Sequence, residues 1–220
     1  MTTLLDCVEI PARGVPRGSV IWLHGLGADG HDFEPIVPEL GRPDLRFIFP
    51  NAPSMPITIN GGFVMPAWYD IRTMKAGPGR DNEEDIRVSE GRIQDLIRRE
   101  VKRGIAPQDI VLAGFSQGGA MALHTGIRYP YRLKGIMVLS AYLVVEQQID
   151  KETHPANRQT PMLFCHGSMD PMVPMQRGRS AFERMDSGER ECSWQQYPMG
   201  HELCREEVGV IAQWLGELYG

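Results

Sequence analysis

The sequence predicts an α/β fold, in which helices cover both faces of a mostly parallel central sheet. Short apolar runs of strand length alternate along the chain with longer segments of helical period, an alternation typical of parallel strands joined by helical crossovers. Several of these runs are continuously aliphatic or β-branched, as expected of strands that are buried on both faces. The chain contains no internal repeat and no recognisable linker, so its 220 residues are expected to form one domain, 1–220.

Composition narrows the class of protein further. Hydrophobic residues make up 42% of the chain, which is enough for a large core and excludes an intrinsically disordered protein. The formal net charge of −5 is mild and no basic face is evident, so we expect no nucleic acid as a partner. No apolar run approaches the roughly 20 residues of a membrane-spanning helix, so no membrane span is expected.

The cysteines and the N-terminal residues bear on the cellular compartment. The four cysteines are scattered and form no CxxC pair, and neither HExxH nor HxxEH is present, so no metal site is expected. The first residues lack the basic and apolar regions of a secretory signal peptide. We therefore expect a cytoplasmic protein with reduced thiols.

Seven strands and two amphipathic helices can be placed along the chain. The strands are predicted at 8–11, 19–23, 46–49, 110–113, 135–139, 162–165 and 193–197. One helix is expected to follow Asp81-Asn82-Glu83-Glu84 and to stop at Gly104, with acidic residues first and basic residues last, an order that suits the helix dipole. A second helix is predicted over 202–218. The apolar stripes expected to face the core are Ile86, Ile93, Leu96, Ile97 and Val101 in the first helix and Val208, Ile211, Trp214, Leu215 and Leu218 in the second.

The stretch 50–79 differs from the rest of the chain. Prolines and the pair Gly61–Gly62 interrupt its short alternating apolar runs, which predicts a small hairpin or an irregular excursion instead of a helix. Long loops in compact domains are often functional. We therefore expect this excursion to border a binding site, and a purely structural excursion is the alternative.

Residues 110–122 combine a buried strand, the sequence Gly114-Phe115-Ser116-Gln117-Gly118 and a helix start rich in small residues. Gly-x-Ser-x-Gly between a strand and a helix is the nucleophile-elbow pattern. Such a tight turn strains the backbone of the serine, and the flanking glycines avoid collisions of Cβ atoms with neighbouring backbone. The helix N-terminus behind the serine favours developing negative charge. Ser116 is therefore the predicted nucleophile.

A serine nucleophile needs two N–H donors for the oxyanion that forms when it attacks an acyl carbon. One donor is expected from the residue after the nucleophile, which is Gln117. The predicted strand 19–23 ends in His24-Gly25-Leu26-Gly27, where glycines allow the backbone to turn its N–H groups inward. We expect Leu26 to be the second donor. We interpret His24 as a buried residue that braces this loop, with a catalytic base as the alternative.

The acid and the base should follow the serine in the chain order Ser, Asp, His. Asp170 follows the predicted strand 162–165 on a loop that nearby prolines keep from becoming a helix, and His201 lies between the last strand and the last helix. These two residues are predicted to complete a triad in which the imidazole takes the serine proton and the carboxylate orients it, with no cofactor. The weaker alternatives are Asp150 and Asp186 for the acid, and His24, His31, His124, His154 and His166 for the base.

Together these motifs resemble those of the phospholipase/carboxylesterase family of α/β-hydrolases, in particular bacterial carboxylesterases related to acyl-protein thioesterases and lysophospholipases. The resemblance implies an α/β-hydrolase fold and supports the same triad and oxyanion donors. The segments that carry it are His24-Gly25-Leu26-Gly27-Ala28-Asp29-Gly30, Pro50-Asn51-Ala52-Pro53, Pro66-Ala67-Trp68-Tyr69-Asp70, Gly114-Phe115-Ser116-Gln117-Gly118-Gly119, Gly167-Ser168-Met169-Asp170 and Gly200-His201.

The resemblance also implies a function. It implies hydrolysis of short- to medium-chain carboxylic esters through an acyl-serine intermediate, with a thioester or a lysophospholipid as the alternative substrate, in a protein that forms a homodimer. A non-catalytic binding protein on the same scaffold is disfavoured, because such proteins usually lose a triad residue or an elbow glycine. The excursion 50–79 is expected to border an acyl groove, with contacts from Met55, Ile57, Phe63, Met65 and Trp68.

Overall fold

The computed structural model describes residues 4–75, 77–186, 188 and 190–220. Nine strands lie in this part of the chain. They are β1 (Cys7–Ile10), β2 (Gly18–Leu23), β3 (Leu45–Pro50), β4 (Ser54–Ile57), β5 (Phe63–Pro66), β6 (Ile110–Phe115), β7 (Gly135–Leu139), β8 (Met162–Gly167) and β9 (Cys192–Tyr197).

Seven of the described strands form the central sheet, in the order β1-β3-β2-β6-β7-β8-β9. Strand β1 pairs antiparallel with β3, and every other neighbouring pair in this sheet is parallel. The predicted, mostly parallel sheet is thus confirmed, and each of the seven predicted runs is one of its strands. Because parallel strands end at a common edge, the residues that follow β2, β6, β8 and β9 meet at the carboxyl edge of the sheet.

Five α-helices accompany these strands within the described residues. They are α1 (Glu83–Lys102), α2 (Gln117–Arg128), α3 (Ile149–Glu152), α4 (Met175–Met185) and α5 (Arg205–Tyr219). The Asn82 side chain caps α1 by accepting a hydrogen bond from the Glu84 N–H, as its position before the acidic first turn predicts. The second predicted helix, 202–218, begins only at Arg205, so His201 lies in the turn before it.

Both faces of the sheet are covered, as predicted. Alternate residues of β2 point to opposite faces: Ile21 joins a buried cluster with the apolar stripe of α1, and Trp22 joins one with the stripe of α5. The prediction was wrong for Val101, which is 41% exposed. Each helical residue advances by about 100°, which puts Val101 at the edge of the buried stripe. The fully buried Glu100 lies nearer the centre of that stripe and pairs with Arg46 at 2.7 Å.

The stretch 50–79 contains an antiparallel pair, β4 with β5, joined by the short 3-10 helix Thr58–Asn60. Gly61 and Gly62 follow with φ angles of 66° and 81°, a left-handed conformation that glycine adopts readily. In the described residues, no helix is long and apolar enough to cross a bilayer.

Candidate active site

Ser116 lies in the turn between β6 and α2, with φ 53° and ψ −120°. This positive φ is the strained backbone that the elbow pattern predicts. A Cβ on Gly114 would lie 2.6 Å from the Gly119 nitrogen, and one on Gly118 would lie 2.5 Å from the His24 carbonyl oxygen. The two glycines therefore allow the turn to pack against the end of β2 and against its own helix.

The structure brings Ser116, His201 and Asp170 together. The Nε2 atom of His201 lies 2.8 Å from Ser116 Oγ, and its Nδ1 atom lies 2.6 Å from Asp170 Oδ2. A carboxylate only accepts hydrogen bonds, so Nδ1 carries the hydrogen and Nε2 is free to accept the hydroxyl proton of the serine. Each residue follows a strand of the sheet at its carboxyl edge: β6, β9 and β8, respectively. This geometry supports serine activation by general base catalysis.

The carboxylate of Asp170 is held on its second oxygen as well. Oδ1 accepts hydrogen bonds of 2.8 Å from the backbone N–H groups of Met172 and Val173. His166 lies beneath this loop, with its Nε2 atom 2.8 Å from the Val173 carbonyl oxygen. Burial lowers the pKa of His166, which favours a neutral ring that donates to that carbonyl. These contacts hold the Asp170 carboxylate in the orientation in which Oδ2 faces Nδ1 of His201.

Two backbone N–H groups beside Ser116 are free. Leu26 and Gln117 both line the cavity that contains the Ser116 side chain. Their backbone N–H groups have no hydrogen-bond partner among the described residues. A Cβ on Gly25 would lie 3.4 Å from the Cβ of Ser116, so the loop after β2 is in contact with the nucleophile. This is the arrangement expected of an oxyanion hole.

Side chains behind the cavity brace both oxyanion segments. Gln117 accepts a 2.8 Å hydrogen bond from the Trp68 N–H and donates one of 2.7 Å to the Tyr69 carbonyl. The His24 Nε2 atom accepts from the Ala52 N–H at 3.0 Å, which leaves Nδ1 to donate to the Gly25 carbonyl at 2.7 Å. Burial lowers the pKa of His24. The ring is thus occupied on both nitrogens, in agreement with a bracing role.

The alternative acids and bases have other partners. Asp150 pairs with Arg184 at 2.6 Å, and Asp186 ends α4. The remaining histidines have local partners, which are Glu34 for His31, Glu90 for His124 and the Ala156 N–H for His154. In the described structure none of these residues lines the Ser116 cavity.

The cavity above Ser116 has a volume of about 210 Å³. Apolar side chains supply most of its wall, and a few polar groups are interspersed. The wall consists of Leu26, Ile59, Ile71, Met74, Phe115, Met172 and Val173, with Asp32, Arg80, Gln117 and Tyr142 as polar members.

The five side chains predicted to contact an acyl group lie elsewhere, since none of them lines this cavity in the described structure. Ile57 and Trp68 are fully buried, and the Trp68 indole donates to the His24 carbonyl at 2.9 Å. Phe63 is 66% exposed at the start of β5. Met55 and Met65 are paired in the hairpin, outside the cavity wall.

The same stretch nevertheless borders the site through other residues. Ile59, Ile71 and Met74 line the cavity, and none of them was singled out from the sequence. Met172 and Val173 were also missed, although they follow Asp170 directly and that proximity was a usable signal. No sequence signal pointed to Arg80 or Tyr142.

Comparisons with known proteins agree with this geometry. The family model described as Phospholipase/Carboxylesterase matches residues 6–218. Acyl-protein thioesterase 1 of Gibberella zeae is 37% identical over 216 residues, which cover 93% of this chain and 92% of that protein. A protein of Oryza sativa subsp. japonica named as a probable carboxylesterase is 35% identical over 205 residues, covering 90% of this chain and 77% of the relative.

Solved structures show the same fold. Acyl-protein thioesterase 2 of Zea mays superposes with a TM-score of 0.86 at 25% identity, covering 98% of this chain and 99% of that one. The relatives named here are eukaryotic, so they support the family that the motifs predicted and not a bacterial source. Because the family model spans nearly the whole sequence and a solved structure shares its architecture, the chain belongs to the phospholipase/carboxylesterase family of α/β-hydrolases.

Proposed function

We propose that the protein is a serine carboxylesterase that hydrolyses short- to medium-chain carboxylic esters through an acyl-serine intermediate. The observation that carries this proposal is the continuous chain of contacts from Asp170 through His201 to Ser116, at 2.6 and 2.8 Å. Ser116 also lies in one small cavity with Leu26 and Gln117, whose backbone N–H groups have no partner among the residues that the structure describes.

Acylation begins when His201 Nε2 takes the hydroxyl proton as Ser116 Oγ attacks the acyl carbon. The oxyanion of the tetrahedral intermediate accepts hydrogen bonds from the Leu26 and Gln117 N–H groups, and the Asp170 carboxylate stabilises the imidazolium. His201 then gives its proton to the leaving alcohol as the ester bond breaks. A water molecule, deprotonated by the same imidazole, then attacks the acyl carbon of the acyl-serine. The bond from that carbon to Ser116 Oγ breaks as His201 returns the proton to Oγ, which releases the carboxylic acid and restores the free enzyme.

The size of the cavity favours a short acyl group. Its volume of about 210 Å³ lies below the roughly 300–1,000 Å³ of pockets that enclose drug-sized ligands. Its mostly apolar wall can bury a few methylene groups, each worth about 0.8 kcal/mol on transfer from water. A long acyl chain would have to leave the cavity and contact the protein surface.

A thioester substrate is the second candidate, because a curated relative is named acyl-protein thioesterase and the same triad could cleave a thioester. The discriminating experiment is a series of 4-nitrophenyl esters from acetate to palmitate, run beside acyl thioesters of the same chain lengths. The proposal predicts the highest kcat/KM for ester substrates with short or medium chains. An optimum at long-chain thioesters would replace the carboxylesterase assignment and leave the mechanism unchanged.

Labelling by a fluorophosphonate tests whether the serine is reactive at all. The native protein should be labelled and the Ser116→Ala variant should not. A native protein that stays unlabelled would support the alternative of a non-catalytic binding protein on this scaffold.

We further propose that residues 1–220 act as a single domain, in the cytoplasm and as a homodimer. The four free cysteines support a reducing compartment. Only the resemblance to the family supports the homodimer. Analytical ultracentrifugation at micromolar protein concentration measures the molecular mass and tests it. A monomer across that range would contradict it.

A further inference from the structure

A buried arginine lines the cavity that holds Ser116. Arg80 is only 4% exposed, and it contributes to the wall of that cavity. Its Nη1 atom donates to Asp81 Oδ1 at 2.8 Å. Its Nε atom is buried and has no hydrogen-bond partner among the described residues. Native structures rarely leave a buried donor unpaired, so a guanidinium of this kind is a candidate for contact with a ligand.

A second arginine lies against the same phenol ring. The Cζ atoms of Arg80 and Arg177 lie 4.6 and 3.6 Å from the centroid of the Tyr142 ring. The Tyr142 hydroxyl donates to Asp81 Oδ1 at 3.0 Å and is 2.9 Å from the Tyr69 hydroxyl. Asp81 is thus the carboxylate that Arg80 and Tyr142 share. In the described part of the chain, Arg177 forms no salt bridge and no side-chain hydrogen bond.

The charges around Tyr142 do not balance. Of the groups that contact Tyr142, two are guanidinium groups and one is a carboxylate, an excess of one positive charge; Asp32 is a carboxylate elsewhere on the wall of the Ser116 cavity. Burial, and after it the like charge of Arg80, lower the pKa of Arg177, while Tyr142 and Asp81 act to raise it. An anion in contact with either guanidinium group would reduce the repulsion between the two.

Tyr142 connects the catalytic cavity to a larger one. The second cavity has a volume of about 470 Å³, and both Tyr142 and Arg177 line it. Besides Asp81, its wall carries the carboxylates of Glu83, which pairs with Arg87 at 3.2 Å, and Glu146, together with a further cation, Arg72. The two guanidinium groups against the Tyr142 ring therefore lie where the two cavities adjoin. A group bound there would belong to a substrate whose reacting carbon is at Ser116.

We propose that Arg80 and Arg177 form an anion-binding subsite next to the Ser116 cavity, and that the preferred ester carries a carboxylate. This proposal rests on the proposed function, because the subsite acts on the same substrate. A carboxylate matches the planar fork of a guanidinium, and its single negative charge equals the local excess. The small cavity between the subsite and the serine places the carboxylate a few carbon atoms from the scissile bond.

The test compares charged and neutral substrates of the same shape. One pair is the 4-nitrophenyl monoester of adipic acid and its terminal amide, in which the carboxylate is on the acyl side. The other pair is the butyrate esters of 4-hydroxybenzoate and 4-hydroxybenzamide, in which it is on the alcohol side. We expect kcat/KM to be about tenfold higher for the charged member of one pair, as for a hydrogen bond to a charged group. Equal rates in both pairs, or faster turnover of the neutral members, would overturn the proposal.

A variant pair assigns the preference to the subsite. Arg177→Gln should reduce the ratio of charged to neutral kcat/KM about tenfold. Arg179→Gln, two positions along α4, is the matched control, because Arg179 pairs with Glu183 at 2.9 Å on the exposed face, and the ratio should not change. An unchanged ratio in Arg177→Gln would contradict the proposal.

A measurement on the native protein needs neither a variant nor turnover. Free adipate should slow fluorophosphonate labelling of Ser116 more strongly than adipamide does. Labelling that adipate and adipamide slow equally would reject the subsite and leave the esterase proposal intact. If Ser116 is not labelled at all, the proposed function fails, so the two failures are distinguishable.

Discussion

At the scale of single residues, the backbone of Ser116 shows how the fold stabilises a strained conformation. A non-glycine residue with φ 53° costs roughly 1–3 kcal/mol. Hydrogen bonds offset this cost: the Ser116 N–H donates to the Leu139 carbonyl at 2.8 Å, and the Ser116 carbonyl accepts from Ala120 at 3.0 Å. The conformation places the hydroxyl within hydrogen-bond distance of His201 while the backbone stays tied to β7 and α2.

The role proposed for Asp170 predicts a large loss of turnover in Asp170→Asn. The amide would donate to Nδ1 of His201, so the ring would keep its hydrogen on Nε2 and could not accept the serine proton. We expect kcat to fall by about 10⁴-fold, the scale seen when the acid of a serine triad is replaced. Steady-state hydrolysis of a 4-nitrophenyl ester measures this loss.

Asp150→Asn is the control for that variant, because Asp150 is exposed and pairs only with Arg184 in the described structure. Its kcat should stay within twofold of the native value. A kcat of Asp170→Asn close to native would show that this carboxylate does not orient the base.

At the scale of elements, the contact between the elbow and the end of β2 predicts that Gly118 cannot be enlarged. A methyl group there would lie 2.5 Å from the His24 carbonyl oxygen and would push away the loop that carries Leu26. We expect Gly118→Ala to lose about 1–3 kcal/mol of unfolding free energy, as other overpacked sites do, together with most of its activity. Urea denaturation and ester hydrolysis measure the two effects.

Gly91→Ala is the matched control. Gly91 lies within α1, and a Cβ there would meet no atom within 4 Å. Replacing a helical glycine by alanine should stabilise the protein by about 0.5–1 kcal/mol. Similar stability changes in the two variants would mean that the elbow does not pack as tightly as described.

The start of α5 predicts a pH dependence of stability. Glu207 is fully buried, and burial raises the pKa of its carboxyl to about 8. Burial also raises the pKa values of its titratable neighbours Cys165, Tyr197 and Cys204. Thiols and phenols are neutral when protonated, so these neighbours supply no positive charge. Between about pH 4.5 and 8 Glu207 holds a proton in the folded protein that the unfolded chain releases, so its contribution to stability falls as the pH rises through that window.

Glu207→Gln should therefore be more stable than the native protein at pH 7, by on the order of 3 kcal/mol, and equally stable near pH 4. Glu206→Gln, at the neighbouring exposed position, should keep the native pH dependence. Denaturant unfolding between pH 4 and 8 measures both variants. A stability difference between Glu207→Gln and the native protein that does not grow from pH 4 to pH 8 would contradict the buried carboxyl.

At the scale of the whole molecule, the parallel sheet assembles the site from distant parts of the chain. Ser116 and His201 are 85 positions apart, and His201 is 31 positions from Asp170. They meet because β6, β8 and β9 all end at one edge of the sheet. Activity and global structure should therefore be lost together when the protein is unfolded.

This topology explains why so much was predictable. Continuous apolar runs such as 110–113 mark strands buried on both faces, and the residues just after such strands belong to the shared edge. The Gly-x-Ser-x-Gly pattern and the order Ser, Asp, His then lead to the same three side chains that the structure brings together.

The residues that line the cavity could not be chosen from the sequence, because side-chain direction decides them. In the irregular stretch 50–79, no regular period relates Trp68 or Phe63 to the cavity, so the acyl contacts that the resemblance implies there stay a prediction. Arg80 and Tyr142 reach the cavity through tertiary contacts that no local pattern encodes. Val101 was predicted to be buried because it is apolar. The centre of the buried stripe is instead occupied by a charged residue, the fully buried Glu100.

The most direct test of the central claim is to trap the acyl-enzyme. The protein is mixed with 4-nitrophenyl butyrate, quenched in acid within milliseconds and analysed by peptide mass spectrometry. We predict a butyryl group on the peptide that contains Ser116, and no such group in Ser116→Ala. Turnover of the ester with an acyl group on another residue, or with Ser116→Ala as active as the native protein, would contradict the account.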